Sequence, residues 1–307
     1  MTFVATLISN PAAPSLDAAA IERARAALPS PQAPNWLDPG IAADIPFIAT
    51  RTNSQVIDSR AVADRVRTAL AGAAIDVVVQ PAGGRRKALF LADMDSTMIG
   101  QECIDELADH VGVKDHVAAI TARAMRGDIE FAPALRERVG LLKGLRATAV
   151  DEVIDERIRL TPGARTLVAT LRGNGAYTCL VTGGFTLFSR RIAALIGFDE
   201  NRANTLVMDG DGRLTGDVAE PIFGREAKLA TLIELTRKLA LAPERTLVAG
   251  DGANDIAMIQ AAGLGVAYHA KPKVAAAAAA RIDHGDLTAL LYAQGYRREE
   301  FVDAESQ

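Results

Sequence analysis

The sequence has few of the residues that build disulfide scaffolds or cysteine-based metal sites. Its 307 residues include 2 cysteines, Cys103 and Cys179, and 4 histidines without the spacing of metal ligands. A disulfide framework and a cysteine-based metal site are therefore excluded as the basis of the fold. We expect both cysteines to be reduced and to lie in the core as small apolar residues.

Long apolar runs and an excess of basic charge are also missing. No apolar run approaches the roughly 20 residues that span a bilayer, and the N-terminus lacks the basic start and apolar centre of a secretory signal. The formal net charge of −4 argues against a nucleic-acid surface, which would normally be basic. Hydrophobic residues make up 49% and charged residues 23% of the chain, as in ordinary globular proteins. We therefore expect a soluble cytoplasmic protein that binds neither nucleic acid nor a membrane.

The chain is predicted to form two parts. Residues 1–84 alternate strand and helix signals, which predicts a small α+β unit with its helices on one face of a sheet. Residues 85–307 predict a larger α/β unit, because strands and helices alternate from residue 162 onward as they do around a parallel sheet. Residues 101–160 have helical periodicity throughout, which predicts a helical cap inserted after the first strand of this unit.

Several other segments carry structural rather than chemical signals. Residues 81–86, rich in proline, glycine and arginine, predict a linker between the two parts. Residues 264–268 are predicted to form the last strand, and the alanine run 275–280 favours a helix. After Asp286 we expect a polar helix.

The stretch 89–102, LFLADMDSTMIGQE, carries the strongest chemical signal. A short apolar run with strand character ends there in two acids, Asp93 and Asp95. Carboxylates at the edge of a core are costly to desolvate, so a divalent cation is the simplest compensating partner. Taken alone, the stretch also fits a strand followed by an acidic turn capped by Ser96 and Thr97.

Two further predicted strands end in residues suited to bind a metal or a phosphate. They are Thr182, Gly183 and Gly184 after the first of these strands, and Asp251, Asn254 and Asp255 after the second. Because ligand sites of parallel α/β sheets lie outside the carboxyl ends of the strands, we expect all three strand ends to converge. Acids meeting there suit Mg²⁺, which prefers oxygen ligands. The Thr182 hydroxyl, the glycine amides and the Lys228 ammonium supply donors for an anion.

These parts together predict phosphoryl transfer, in which the protein mainly positions groups and neutralises charge. We predict that Asp93 is the nucleophile and forms an aspartyl-phosphate, which splits hydrolysis into two easier steps. Asp95 is predicted to be the general acid and base, protonating the leaving alkoxide and then accepting a proton from water.

Other residues are predicted to support this chemistry. Asp251 would join Asp93 and Asp95 as a ligand of Mg²⁺, and Asp255 would hold the ligands from behind or coordinate through water. Lys228 is predicted to offset the negative charge shared by the phosphate and the nucleophile, and Asn254 to orient the phosphate or a side chain.

At these positions the sequence resembles the haloacid-dehalogenase-like phosphatases, in the motifs DMDST, TGG, the isolated Lys228 and GDGAND. The longer stretches DMDSTMIGQE, DIEFAPALRERVGLLKG and VTGGF are similar to those of the phosphoserine phosphatases. The resemblance covers roughly residues 88–290. It implies a Rossmann-like core with a helical cap, Mg²⁺ as cofactor, and hydrolysis of O-phospho-L-serine to L-serine and phosphate. That reaction is the last step of the phosphorylated route of serine biosynthesis.

The resemblance also implies roles for three residues at the cap. Glu102 and Arg138 are expected to contact the amino and carboxylate groups of the substrate, and Phe131 to pack over it. A zwitterion needs an anion and a cation, and arginine can bind a carboxylate in a bidentate manner. Without the resemblance, Phe131 and Arg138 would be interpreted as a core aromatic beside a solvated charge. Thr182 stands where many family members carry serine, so the phosphate-binding hydroxyl is kept and one methyl group is added.

Residues 1–84 lie outside this resemblance and are similar to an ACT-type, ferredoxin-like fold. That unit could serve regulation, dimerisation or stability, so a homodimer is one of the expected assemblies. Other functions stay open at this point: phosphotransfer to an alcohol such as homoserine, hydrolysis of another small phosphometabolite, or amino-acid sensing with a vestigial core. The intact acids and Lys228 argue against the last of these.

Overall fold

The computed structural model of the protein describes residues 2–49, 57–126 and 128–304. Every predicted site residue lies within these ranges. The first sheet and its helices, in chain order, are β1 (Thr2–Ser9), α1 (Ala18–Ala26), β2 (Asn35–Asp38), β3 (Ala42–Ile48), α2 (Ser59–Ala69) and β4 (Ile75–Pro81). The strand order is β2-β3-β1-β4 with antiparallel neighbours, which is the order of a ferredoxin-like fold. The predicted N-terminal α+β fold is therefore confirmed.

The two faces of this first sheet have different partners, because side chains alternate along each strand. On one face Ala5, Leu7 and Val77 form an apolar cluster with buried residues of α1 and α2. The other face carries Ile8 and Val78, which belong to the main core of the second part. Both faces of the sheet are therefore covered.

The second part is built on a six-stranded sheet with the order β12-β11-β10-β5-β6-β7, and all neighbouring strands are parallel. Its central strand has the sequence LFLA and is fully buried, as expected for a parallel strand covered on both faces. The predicted α/β core is confirmed. Its elements are β5 (Leu89–Ala92), α3 (Cys103–His110), α4 (Lys114–Arg126), α5 (Phe131–Gly140), α6 (Thr148–Arg157), α7 (Ala164–Gly173), β6 (Tyr177–Phe185), α8 (Thr186–Ile196), β7 (Glu200–Asn204), β8 (Leu206–Met208), β9 (Leu214–Val218), α9 (Arg225–Lys238), β10 (Thr246–Gly250), α10 (Ile256–Ala261), β11 (Leu264–Tyr268), α11 (Pro272–Ala277), β12 (Ala280–Ile282) and α12 (Ala289–Ala293).

The helical cap is also present, since α3 to α6 follow β5 without an intervening strand. Their buried positions, among them Leu107, Leu135, Val139 and Val153, join the main core. Cys103 and Cys179 are free and buried, as predicted. Among the described residues, no helix combines the length and apolar character needed to cross a membrane.

The end of the chain differs from the prediction. β12 follows β11, so β11 is not the last strand, and the alanine-rich helix α11 ends at Ala277 because Ala280 enters β12. The expected polar helix after Asp286 is wrong as well, since Leu290, Leu291 and Tyr292 of α12 are at most 1% exposed. They are buried because α12 packs beneath the second face of the N-terminal sheet.

Polar side chains of that second face bind the C-terminal segment. The Asp76 carboxylate accepts main-chain N–H groups of Asp283, His284 and Gly285 at 2.7–3.2 Å. Gln80 Nε2 donates to the carbonyl of Ala293 at 2.6 Å.

The segment predicted as a linker, residues 81–86, is tied to the first sheet. Arg85 forms a salt bridge with Asp44 at 2.7 Å, and both side chains are largely buried. Thr6 Oγ1 donates to the same carboxylate at 2.7 Å. Arg85 thus anchors the connection between the two parts to the first sheet.

Candidate active site

The three strand ends predicted to converge belong to neighbouring strands, because β10, β5 and β6 are adjacent in the sheet. Asp93 follows β5 directly, and its N–H donates to the carbonyl of Ala249 in β10 at 3.0 Å. Thr182 and the two glycines after it lie on the last residues of β6. The strand-end rule therefore places the acids and the phosphate-binding candidates at one edge of the sheet.

Asp93 lies beside a buried lysine that is held from two sides. Lys228 Nζ lies 2.7 Å from Oδ1 of Asp93 and 2.7 Å from Oδ1 of Asp255, and the lysine side chain is fully buried. Burial opposes the charge of Lys228, but the two carboxylates outweigh it and raise the pKa of the ammonium. Among the described residues, Oδ2 of Asp93 accepts no hydrogen bond, so that oxygen is free to form a bond to phosphorus.

Three acids form a cluster with ligand geometry. Asp93, Asp251 and Asp255 each offer an oxygen, and these oxygens all lie within 4.8 Å of one another. Burial, followed by the charge of Asp255, raises the pKa of Asp93 and of Asp251. Among the described residues, the ammonium groups of Lys228 and Lys271 act on these three carboxylates, so a bound cation would relieve the remaining negative charge. Oxygen-only donors of this kind suit a hard divalent ion.

Asp95 is oriented differently from these three acids. It lies in a wide turn, Met94–Met98, where Ser96 has a φ of 55°. Its Oδ1 accepts the N–H of Cys103 at 2.9 Å and its Oδ2 accepts the hydroxyl of Thr182 at 3.0 Å. These bonds direct its carboxylate toward the cap and toward residues 182–184 at the end of β6, which are termed the β6 loop below.

The β6 loop is closely packed around the Thr182 hydroxyl. The N–H of Gly184 donates to Thr182 Oγ1 at 2.9 Å, while that hydroxyl donates to Asp95. A Cβ atom at Gly184 would lie 3.1 Å from both Asp95 Oδ2 and Thr182 Oγ1, so a side chain there would crowd the site. Glycine is required here for close approach rather than for an unusual φ.

Glu102 and Arg138 face the same cavity from the cap side. Glu102 Oε1 accepts the hydroxyl of Ser96 at 2.8 Å, and burial, followed by the charge of Asp95, raises its pKa to about 7. Burial lowers the pKa of Arg138, although Asp105 and Glu102 oppose that shift. Arg138 bonds Ala134 O and Thr121 Oγ1 at 3.3 and 3.4 Å and forms no ion pair with a carboxylate of the described residues. A buried guanidinium in this state is suited to receive an anion.

The predicted residues enclose a cavity of about 190 Å³. From the predicted set, it is lined by Asp93, Asp95, Glu102, Phe131, Arg138, Thr182, Gly183, Gly184, Asp251 and Asn254. Lys228 and Asp255 lie behind Asp93 and do not line it. Phe131, 41% exposed, lies across Gly183 and Gly224, since a Cβ atom on either glycine would lie 3.3 Å from its ring.

Sequence reasoning missed residues that the structure adds to the site. Lys271 lines the cavity and lies three residues after β11, so the strand-end rule applied to that strand would have found it. Ser96, interpreted only as a turn cap, orients Glu102. Asn204 lies under the β6 loop, and no local sequence signal indicates that position.

Comparison with known proteins agrees with this geometry. Residues 90–260 match the family of haloacid dehalogenase-like hydrolases. The chain belongs to the haloacid dehalogenase-like hydrolase family.

Several similar proteins are phosphoserine phosphatases. The chain is 46% identical over 208 residues to a phosphoserine phosphatase of Polaromonas, covering 66% of this chain and 88% of that protein. It is 44% identical over 247 residues to a phosphoserine phosphatase of Streptomyces coelicolor, covering 78% of this chain but only 60% of that longer protein. A crystal structure of a probable phosphoserine phosphatase from Vibrio cholerae aligns with a TM-score of 0.75 at 29% identity, covering 97% of this chain and 88% of that one.

Proposed function

We propose that this protein is a phosphoserine phosphatase, a phosphoric monoester hydrolase that converts O-phospho-L-serine to L-serine and phosphate in the last step of serine biosynthesis. One observation carries the proposal: a single cavity joins phosphoryl-transfer groups with Glu102 and with Arg138, which forms no ion pair with a carboxylate of the described residues. The names of its relatives in Polaromonas and Streptomyces support the same substrate.

The donor set supports Mg²⁺ as the metal. Asp93 and Asp251 would hold it through carboxylate oxygens, and Asp255 would support them. Both carboxylate oxygens of Asp95 accept hydrogen bonds, so its side chain would join the metal ligands only by giving up one of these bonds. When bound, the ion supplies neutralisation of charge on the transferring phosphoryl group.

In the first half of the reaction a carboxylate oxygen of Asp93 attacks phosphorus. A bond forms between that oxygen and phosphorus, and the bond from phosphorus to the serine oxygen breaks. Asp95 donates its proton to the leaving oxygen, which yields L-serine. Lys228 favours the ionised form of Asp93 through the 2.7 Å contact and so opposes the effects of burial and of Asp255.

In the second half the aspartyl-phosphate is hydrolysed. Asp95, now ionised, accepts a proton from water while the water oxygen attacks phosphorus. The bond between phosphorus and Asp93 breaks, phosphate leaves, and both acids return to their starting states. The Thr182 hydroxyl and the amides of the β6 loop stabilise the phosphoryl oxygens.

The cap residues supply the preference for an amino acid. Glu102 would bind the substrate ammonium and Arg138 its carboxylate, while Phe131 covers the site and reduces access of water. Asn254 and Lys271, at the other side of the cavity, would contact the phosphate.

The decisive experiment measures phosphate release from L-phosphoserine, phosphothreonine and an aryl phosphate, each with Mg²⁺ or EDTA. Asp93→Asn serves as the control variant. Strong preference for phosphoserine, lost with EDTA and in the variant, is the expected result. Turnover of the aryl phosphate alone would keep the chemistry and reject the substrate, and homoserine added to the assay would reveal phosphotransfer as phosphohomoserine.

A further inference from the structure

Asn204, the last residue of β7, uses its whole side-chain amide in hydrogen bonds. Its Nδ2 donates to the carbonyls of Gly183 and Phe223, both at 2.9 Å, and its Oδ1 accepts the N–H of Phe223 at 2.7 Å. The residue is 2% exposed. A buried amide with every polar atom satisfied holds its partners in a fixed geometry, because losing one bond leaves a buried group unpaired.

The two partners of Asn204 belong to different parts of the site. Gly183 is the middle residue of the β6 loop, between the Thr182 hydroxyl and the amide of Gly184. Phe223 directly precedes Gly224, the N-cap residue of α9, whose carbonyl accepts the N–H of Lys228 at 3.0 Å. Asn204 therefore fixes the distance between the β6 loop and the helix that carries the buried lysine.

The same two segments also form the surface against which Phe131 of the cap packs, here called the seat of Phe131. The ring of Phe131 lies against Gly183 on one side and Gly224 on the other. Asn204 bonds Gly183 and the residue next to Gly224, so it lies directly beneath this seat.

We propose that Asn204 is a positioning residue for the reaction. It holds the β6 loop, the first turn of α9 and the surface that Phe131 packs against in a fixed relative position. It touches neither substrate nor metal and acts through these three elements. The choice of phosphoserine as the substrate in this inference rests on the proposed function. A small displacement of phosphate-binding groups is enough to lower activity about 10- to 100-fold.

The test compares Asn204→Ala with Asn201→Ala. Asn201 lies on the same strand and accepts the hydroxyl of Ser189 at 2.8 Å, and its side chain bonds none of the described residues of the site. Both variants are assayed for kcat and KM with L-phosphoserine, well below their melting temperatures. We expect kcat/KM to fall about 10- to 100-fold for Asn204→Ala and to stay within about twofold of wild type for Asn201→Ala.

A double-mutant cycle separates positioning from a purely structural role. If Asn204 positions the residues that Phe131 packs against, the double variant Asn204→Ala/Phe131→Ala should lose less kcat/KM than the product of the two single losses. The reason is that both substitutions disrupt the same arrangement. Independent losses in that cycle, or equal activity of the two asparagine variants, would overturn the proposal. If Asn204→Ala does not fold, the isosteric Asn204→Asp takes its place, and failure of both to fold also overturns it. A wild-type protein without turnover of phosphoserine would instead reject the proposed function.

Discussion

The charge state of the Glu102 carboxylate is sensitive to pH near neutrality. Its pKa is raised to about 7 by burial and by Asp95. Only the ionised form can bind the ammonium of the substrate. Lowering the pH below 7 protonates Glu102 and should reduce kcat/KM for phosphoserine about tenfold per pH unit.

A pH–rate profile checks this expectation. The substrate phosphate itself titrates near pH 6, so Glu102→Gln is the necessary comparison. That variant should have lower kcat/KM for phosphoserine, and its pH–rate profile should lack the acidic limb that protonation of Glu102 causes. An aryl phosphate, which has no ammonium, should lack that limb in the wild type. An unchanged limb in Glu102→Gln would assign it to another group.

Lys228 is the second residue whose role can be tested alone. Replacing it by methionine leaves Asp93 and Asp255 facing each other in a buried site. We expect Lys228→Met to abolish turnover and to lower the free energy of unfolding by about 3–5 kcal/mol, the usual cost of breaking a buried ion pair. Denaturant unfolding measures this, with Lys238→Met at the exposed end of α9 as the control. A stability equal to that control would show that the buried charges are compensated in another way.

At the scale of elements, α5 carries both Phe131 and the arginine that is proposed to bind the substrate carboxylate. Phe131 and Arg138 are two turns apart and face the cavity together. Arg136 lies on the same helix but bonds Glu220 at the surface.

This helix gives a matched pair of variants. Arg138→Lys keeps the charge but loses bidentate binding of a carboxylate. We expect KM for phosphoserine to rise about tenfold or more, with little change for an aryl phosphate. Arg136→Lys should leave both substrates unaffected. Steady-state kinetics on the two substrates checks this, and equal effects of Arg138→Lys on both would contradict a role in substrate recognition.

The strands also show what the sequence could and could not predict. β5, β6 and β10 were predicted because each is an apolar run that ends in polar residues of recognisable chemistry. β7, with the sequence ENRAN, has no apolar alternation and forms only because β6 offers it a pairing edge. The role of Asn204 at its end was therefore invisible, because it depends on tertiary neighbours, whereas the strand-end rule applied to β11 would have found Lys271.

At the scale of the whole molecule, the two parts are joined by polar bonds between buried groups. Alternation along β4 identifies Asp76 and Gln80 as members of the sheet face opposite α1 and α2, which in a free unit would face water. Here that face meets α12 and residues 283–285. We propose that the N-terminal unit acts as a fixed part of the fold, since these bonds oppose independent movement.

Asp76 tests this proposal. Asp76→Ala would leave the N–H groups of residues 283–285, of which that of Gly285 is buried, without this acceptor. We expect the free energy of unfolding to fall by about 1–3 kcal/mol, with kcat unchanged. Denaturant unfolding measures the loss, and Asp64→Ala, which removes an exposed ion pair of α2 with Arg67, is the control. Equal stability of the two variants would argue for a loosely attached unit.

The face of the N-terminal sheet that α12 covers also has a consequence for folding during synthesis. A ribosome delivers β1 to β4 long before the segment that covers them, since Gln80 and its partner Ala293 are 213 positions apart. Until residues 283–296 emerge, Ile8 and Val78 remain on an uncovered surface that chaperones can bind. Closing so long a loop is slow. An N-terminal unit whose apolar face is still uncovered is open to misassembly. Completion of this one contact should therefore set the pace at which newly made chains become protease-resistant.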